Sequence, residues 1–302
     1  MKWTHRSGEK RMKRLSSSQV PGIYRRNVGN VAVATVNDGM VPTTFDHIVG
    51  ADPAACEAAH RSAGRPTPPW LTVNTYLIES GEHLMLVDAG YADNSPGAGR
   101  LLTNLAALGV KPIDIDTVLM THLHADHDAG LIDRTGAAIF PQAELVVHED
   151  ELAFWREESN LALLSEGQKF DFSLATKVLA AYSDRLRPVR AGEAAPNVFA
   201  VPTPGHTPGH TAWRIASGDD QLLIWGDVIH LPGIQFAIPE ASVIYDLDSQ
   251  AAASARRRVL DMVSADRIPV AGVHLDFPGY GSVSAGPNGG YSYVGELWTP
   301  VI

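Results

Sequence analysis

The sequence predicts an α+β fold, a four-layer αββα sandwich with its functional site at one edge of two facing sheets. Three observations carry this expectation. Two hairpins resemble one another: Tyr76-Leu77-Ile78-Glu79-Ser80-Gly81 running on to Val87-Asp88, and Trp213-Arg214-Ile215-Ala216-Ser217-Gly218 running on to Gly226-Asp227. Each sets an aspartate where a strand leaves its sheet, so the chain reads as two similar β-rich halves face to face. Segments with apolar residues at helical spacing lie between the strands and supply the outer layers. Between the hairpins, the apolar run Thr117-Val118-Leu119-Met120 empties into Thr121-His122-Leu123-His124-Ala125-Asp126-His127.

Taken in order, residues 1–20 are a flexible basic arm, carrying Lys2, Arg6, Lys10, Arg11, Lys13 and Arg14 but no apolar core of the kind a secretory signal needs. Residues 21–302 form a single domain. Residues 31–36 alternate as a strand before the turn signal Asn37-Asp38-Gly39. A short helix follows at 53–61. The first hairpin pairs 73–79 with 84–87 and ends at Asp88. Leu101, Leu102, Leu105 and Leu108 are spaced for a helix that Gly109 stops. After the histidine-rich stretch come a strand at 145–147 and a helix at 149–156. Residues 160–186 are largely helical but poorly periodic, which suits a lid or insertion over one edge. Alternating proline and glycine make the segment from Pro202 to His210 a rigid loop. The second hairpin pairs 211–216 with 222–225. Ala252, Ala255, Val259 and Val263 mark one face of a helix at 249–263, and a strand at 269–273 delivers His274.

Composition narrows the class. With 302 residues, 45% hydrophobic and 19% charged, the chain is an ordinary globular protein with room for a sizeable core. Its net charge of −10 argues against a nucleic-acid partner, because phosphate binding requires clustered Lys and Arg. No run of eighteen apolar residues predicts a transmembrane helix. A cytoplasmic protein without a membrane partner is the simplest expectation. The single cysteine, Cys56, excludes an internal disulfide and lies in a polar stretch, away from any metal-ligand partner.

In the stretch Thr121 to His127, a strand running into a tight loop aims alternate side chains, His122 and His124, at one spot, and the next turn aims Asp126 and His127 at a second. Imidazole with carboxylate suits zinc and its first-row neighbours, and desolvating these groups together without a cation is costly. Further ligands are available at turns and strand ends downstream. His206 lies in the Pro-Gly loop, and Asp227 is the best candidate for an anionic bridge between two cations. His274 ends the last strand. Asp88, at the end of the first hairpin, is a further strand-end acid.

The HxHxDH pattern at 122–127, followed by His206, Asp227 and His274, resembles the metallo-β-lactamase superfamily. Along residues 20–295 the chain is most similar to the methyl parathion hydrolase-like branch, next to the N-acyl homoserine lactone lactonases. Pro21-Gly22-Ile23-Tyr24-Arg25, Leu86-Val87-Asp88-Ala89-Gly90, Gly226-Asp227 and Ala271-Gly272-Val273-His274 carry that similarity. The resemblance implies one metal on His122, His124 and His206, and another on Asp126, His127 and His274. Asp227 and a hydroxide would bridge them, and Asp88 would orient ligands from behind. The lactonases carry a tyrosine three residues beyond the bridging aspartate, where this chain has His230.

The resulting expectation is a hydrolase with two divalent metal ions, zinc foremost, opening a lactone or cleaving a carboxylic ester. Organophosphate triester hydrolysis is the alternative on the same ligands, and a mononuclear iron oxidoreductase is a further one. Catalysis falls to Asp227, Asp126 and His230, with Asp227 or His230 protonating the leaving group. Phe45, Trp70, Trp155 and Phe236 are candidate walls of an apolar pocket. Each could equally be core, and His230 could equally line the pocket. Similar proteins imply a homodimer.

Overall fold

The computed structural model describes residues 19–92 and 97–300. In chain order the first half forms β1 (Ile23–Val28), β2 (Val31–Pro42), a short β3 (Ile48–Val49), α1 (Pro53–Ser62), β4 (Trp70–Ser80), β5 (His83–Val87), α2 (Leu101–Ala107), β6 (Thr117–Leu119), α3 (Ala125–Asp128), β7 (Glu144–His148), α4 (Glu149–Arg156), α5 (Glu166–Ala181) and β8 (Leu186–Val189). The second half forms β9 (Gly192–Ala195), β10 (Val198–Pro202), β11 (Thr211–Ser217), β12 (Asp220–Ile224), α6 (Pro232–Gln235), β13 (Ser242–Val243), α7 (Ser249–Ala265), β14 (Val270–Ala271), β15 (Tyr280–Ala285) and β16 (Tyr291–Gly295). Two seven-stranded sheets result, in the orders β1-β2-β4-β5-β6-β7-β8 and β16-β15-β14-β12-β11-β10-β9.

Side-chain alternation sorts these strands into layers. Tyr76, Ile78, Met85 and Val87 of the first sheet meet Trp213, Ile215, Leu222 and Ile224 of the second in an inner core. Their neighbours Leu77 and Leu86 point outward, into a second core with Leu101 and Leu105 of α2, Trp155 of α4 and Val178 of α5. On the far side, Ala212, Leu223 and Val270 pack under Val259, Leu260 and Val263 of α7. Helix, sheet, sheet, helix is the architecture the two hairpins predict, and a one-residue slip in either would have exchanged its inner and outer sets.

Several boundaries differ from the sequence reading. Asn37-Asp38-Gly39 is a bulge rather than a turn, and β2 continues past it to pair with β4 up to Pro42. The Asp38 side chain turns inward instead, accepting hydrogen bonds from the backbone N–H groups of Tyr91, Gly99 and Leu101. Residues 160–186 are no lid: α5, capped by Ser165 and Gln168, buries Phe172, Ala175, Val178 and Leu179 in the outer core. Cys56 lies on α1 and is fully buried, not in a polar loop. The last predicted strand shortens to β14, because the chain turns at Gly272. The basic arm at 1–18 lies outside the described residues. Among the described residues no helix is long and apolar enough to cross a membrane.

One consequence of the topology positions the site. Strands β5, β6, β7 and β8 are parallel, as are β12 and β14, so their C-terminal ends open at common sheet edges. Asp88 follows β5, Thr121 to His127 follow β6, Asp227 follows β12 and His274 follows β14.

Candidate metal centre

Asp88 is the pivot behind the histidine-rich loop. One carboxylate oxygen accepts the Thr121 backbone N–H at 2.8 Å. The other accepts the Thr121 hydroxyl at 2.8 Å and faces His127 Nδ1 at 2.8 Å. The hydroxyl's single proton being committed to Asp88, Thr121 Oγ1 accepts from His122 Nδ1 at 3.0 Å. His206 Nδ1 lies 2.8 Å from Asp246 Oδ1, and His274 Nδ1 lies 2.7 Å from the Thr72 carbonyl oxygen. The network thus assigns the outer Nδ1–H of His122, His127, His206 and His274 and turns their four Nε2 atoms inward.

Those nitrogens converge. His206 Nε2 is 3.1 Å from His122 Nε2 and 3.0 Å from His124 Nδ1. Asp227 Oδ1 is 3.1 Å from His127 Nε2, and Asp227 Oδ2 is 3.2 Å from His274 Nε2 and 3.3 Å from His206 Nε2. Asp126 Oδ2 completes the second cluster, 3.5 Å from His127 Nε2 and 3.3 Å from His274 Nε2. Two groups follow, His122-His124-His206 and Asp126-His127-Asp227-His274, each with ligand atoms within 4.8 Å of one another. His206, Asp227 and His230 form a third such group across the junction.

The electrostatics require positive charge here. Burial, reinforced by neighbouring histidines, holds His122 and His124 well below the ordinary imidazole range. Burial alone would lower His127 and His274 as well, but the carboxylates of Asp227 and Asp126 outweigh it, raising His274 to about 10 and His127 well above its usual value. Conversely, Asp126 and Asp227 overcome burial through His127 and His274 and stay anionic. Asp227 Oδ1 and His127 Nε2 are buried without a hydrogen-bond partner. Imidazole lone pairs and two carboxylates gathered out of water fit divalent cations in both donor type and charge.

Other residues build the cradle. Glu151 of α4 is fully buried, and its oxygens accept from Leu123 N at 2.9 Å, Trp155 Nε1 at 2.7 Å, Thr207 Oγ1 at 2.6 Å and Gly209 N at 2.9 Å. It joins the loop of His122 to the loop of His206. His210 Nε2 accepts the Asp227 backbone N–H at 3.0 Å and sets that strand end. Gly226 precedes it at φ +54°, where an added Cβ would meet His210 Nε2 at 2.7 Å, so the residue must be glycine. Asn74 of β4 holds the His274 turn through the Leu275 carbonyl, at 2.8 Å.

All seven predicted ligands meet at this edge. His230 also reaches it, with Nε2 2.9 Å from Asp227 Oδ2 and its ring stacked on His274. The pocket residues divide. Trp155 is fully buried, edge-on to His124, and Phe236 is core beneath Trp225, so neither lines a pocket. Both rings face the outer layers, where apolar burial outweighs exposure. Phe45 is half-buried against His60, and Trp70 remains 40% exposed at the start of β4. Residues beside the cluster that sequence reasoning missed include Asp246, against His206 Nδ1, and Asp171, which accepts the Ala125 backbone N–H at 3.3 Å. Nothing in their local sequence marks them.

Comparison with known proteins agrees with this geometry. The Bacillus subtilis (strain 168) proteins YobT and probable metallo-hydrolase YqjP are each 30% identical to the chain, over 55% and 69% of its length and over 66% and 67% of theirs. The N-acyl homoserine lactonase AiiB of Agrobacterium fabrum (strain C58 / ATCC 33970) is 32% identical over 28% of this chain and 35% of its own. Among solved structures, the hydrolase AbOPH superposes with a TM-score of 0.87 at 27% identity, covering 93% of this chain and 100% of that one. AidC, a dizinc quorum-quenching lactonase, gives 0.87 at 23% identity over 92% and 99%. The family model of the metallo-β-lactamase superfamily matches residues 68–269, which contain β4 to the start of β14 and six of the seven converging ligands. On that match, together with the sandwich and the His/Asp cluster at its edge, the chain belongs to the metallo-β-lactamase superfamily, among its hydrolases.

Proposed function

We propose that the protein is a dinuclear metal-dependent hydrolase that opens a lactone or cleaves a related carboxylic ester. One observation carries the reading: Asp227 stands between two ligand groups, its Oδ1 on His127 and its Oδ2 shared between His206 and His274. A carboxylate in that position can hold two cations close together, zinc being the natural choice for this donor set. His122, His124 and His206 would hold one ion, and Asp126, His127 and His274 the other.

When bound, such ions supply electrophilic activation of a carbonyl or phosphoryl oxygen and make water acidic enough to lose a proton near neutral pH. The chain's own residues supply the rest. Asp88, Thr121, Asp246 and the Thr72 carbonyl fix the tautomers of four imidazoles. His230 has both ring nitrogens buried without hydrogen-bond partners, and Nε2 beside Asp227. It is placed to pass a proton to the departing alkoxide.

The lactonases among the similar proteins support an acyl substrate. Organophosphate triester hydrolysis uses the same ligands and is the second reading. The test is metal content by elemental analysis, beside a pH-stat screen of lactones, aryl esters and an aryl phosphotriester. Two zinc per chain with lactone or ester turnover supports the proposal. One iron per chain with oxygen uptake and no hydrolysis would replace it by an oxidoreductase.

A further inference from the structure

Helix α7 carries a charge inside its apolar face. Arg256, 1% exposed, shares that buried face with Ala252, Val259 and Leu260. Among the described residues it is the one arginine or lysine that is buried. A guanidinium taken out of water is costly unless its charge and its N–H groups find partners. Backbone carbonyls supply most of them. Nε donates to Val228 O at 2.8 Å, and Nη1 donates to Pro239 O at 2.8 Å and to Ala241 O at 2.9 Å. Nη2 lies 3.9 Å from Asp246 Oδ2. Burial lowers the pKa of Arg256 to about 10, with Asp246 opposing, so the charge persists at neutral pH.

Asp246 leads from this cation to the centre. Its side chain is fully buried, and its other oxygen lies 2.8 Å from His206 Nδ1. The surrounding backbone is docked on the same loop: Leu247 N donates to His206 O at 2.9 Å, and a Cβ on Gly205 would meet Ala252 N of α7 at 2.2 Å. The carbonyls that fix the guanidinium are neighbours of the site as well. Val228 follows Asp227, and Ala241 O also accepts from Gln235 Nε2, whose Oε1 accepts His230 N at 2.6 Å. One cation outside the ligand set therefore stands behind Asp246, and Asp246 stands behind His206. On the other side of the centre, His127 and His274 are held instead by Asp88 and the Thr72 carbonyl.

We propose that Arg256 is a positioning residue for the His122-His124-His206 group. Its guanidinium, anchored on Val228 and Ala241, pairs with the buried Asp246 carboxylate and so holds the His206 imidazole with Nε2 turned to the centre. This rests on the metal-holding part of the reading above and is independent of the substrate. Without Arg256 the Asp246 carboxylate is buried with no cation behind it, and the disturbance reaches the centre through one imidazole. The ion on that group then weakens, while the other keeps its ligands.

The test withdraws zinc from the fully loaded protein with a graded excess of a chromogenic chelator, for wild type, Arg256→Gln, Asp246→Asn and the double variant. Arg256→Gln should weaken one of two zinc ions about 10- to 100-fold and leave the other within about twofold. In the Asp246→Asn background the same substitution should weaken zinc no further, because the path through Asp246 is already cut. A role in stability alone would lower the melting temperature in both backgrounds without that non-additivity. Unaltered zinc affinity, equal weakening of both ions, or additive losses would overturn the assignment. Should Arg256→Gln not fold, Arg256→Met, which fills a similar space without charge, is read in the same cycle. Failure of both to fold would make Arg256 a support of the fold and overturn the assignment. Turnover of p-nitrophenyl acetate and γ-nonalactone by the zinc-loaded wild type separates the two readings. No turnover with an Arg256-dependent zinc ion removes the hydrolase and keeps Arg256, and turnover with Arg256-independent zinc does the reverse. A wild type that binds fewer than two zinc ions overturns both.

Discussion

His127 Nε2 and Asp227 Oδ1 lie 3.1 Å apart, buried, neither with a hydrogen-bond partner. Asp88 accepts from His127 Nδ1 behind the ring, which turns Nε2 to the Asp227 carboxylate. A carboxylate and an imidazole nitrogen buried at that distance need positive charge between or beside them, and the whole edge of the sandwich is arranged around this demand.

The orienting role of Asp88 is separable from ligation. Asp88→Asn retains one acceptor oxygen for three donors, so the Thr121 and His127 contacts cannot all be kept. Metal affinity, measured by competition with a chromogenic chelator, should fall about 10- to 100-fold with the fold intact by circular dichroism. Unaltered affinity would reduce Asp88 to an acid satisfied in a turn.

Glu151 binds two loops that each supply ligands. Glu151→Gln places an amide NH2 among donors in a fully buried site, and one or more of Leu123, Trp155, Thr207 and Gly209 loses its acceptor. Urea unfolding should show a loss of about 2 to 4 kcal/mol. A change under about 1 kcal/mol would mean that water substitutes for the carboxylate.

His210 predicts a pH dependence of stability. Burial, reinforced by His206, lowers its pKa to about 3, below the unfolded value of about 6.5. The folded state binds fewer protons between those values, so this contribution is complete above about pH 6.5 and is lost as pH falls towards 3. His210→Gln should remove about one proton from the slope of unfolding free energy against pH in that window. An unchanged slope would assign acid sensitivity to other groups.

Gly226 tests the tight approach of strand end to ligand support. With φ at +54° and His210 Nε2 in the way of a Cβ, Gly226→Ala should cost about 2 kcal/mol or more and displace Asp227. Thermal unfolding and metal titration read both effects. Wild-type values for the two would contradict the crowding.

The converging histidines and aspartates were legible in the sequence because their identities, spacing and positions after strands survive without tertiary information. His122, His124, Asp126 and His127 announce themselves within six residues. The layers were legible because alternation in the two hairpins is local. Glu151 and Asp246 were not: a buried carboxylate satisfied by residues tens of positions away carries no local pattern. Asn37-Asp38-Gly39 has turn chemistry, yet pairing of β2 with the long β4 wins and converts it to a bulge. Trp155 and Phe236 failed as pocket walls because which face an aromatic ring buries is decided by packing.

Asp227 is the proposed link between two cations. The direct measurement is metal stoichiometry of wild type and Asp227→Asn, by elemental analysis after equilibration with zinc, with ester turnover on the same samples. Two zinc per wild-type chain, falling to one or fewer in Asp227→Asn with a loss of turnover of about a thousandfold or more, is the predicted result. Two zinc per chain and near wild-type turnover in Asp227→Asn would contradict it.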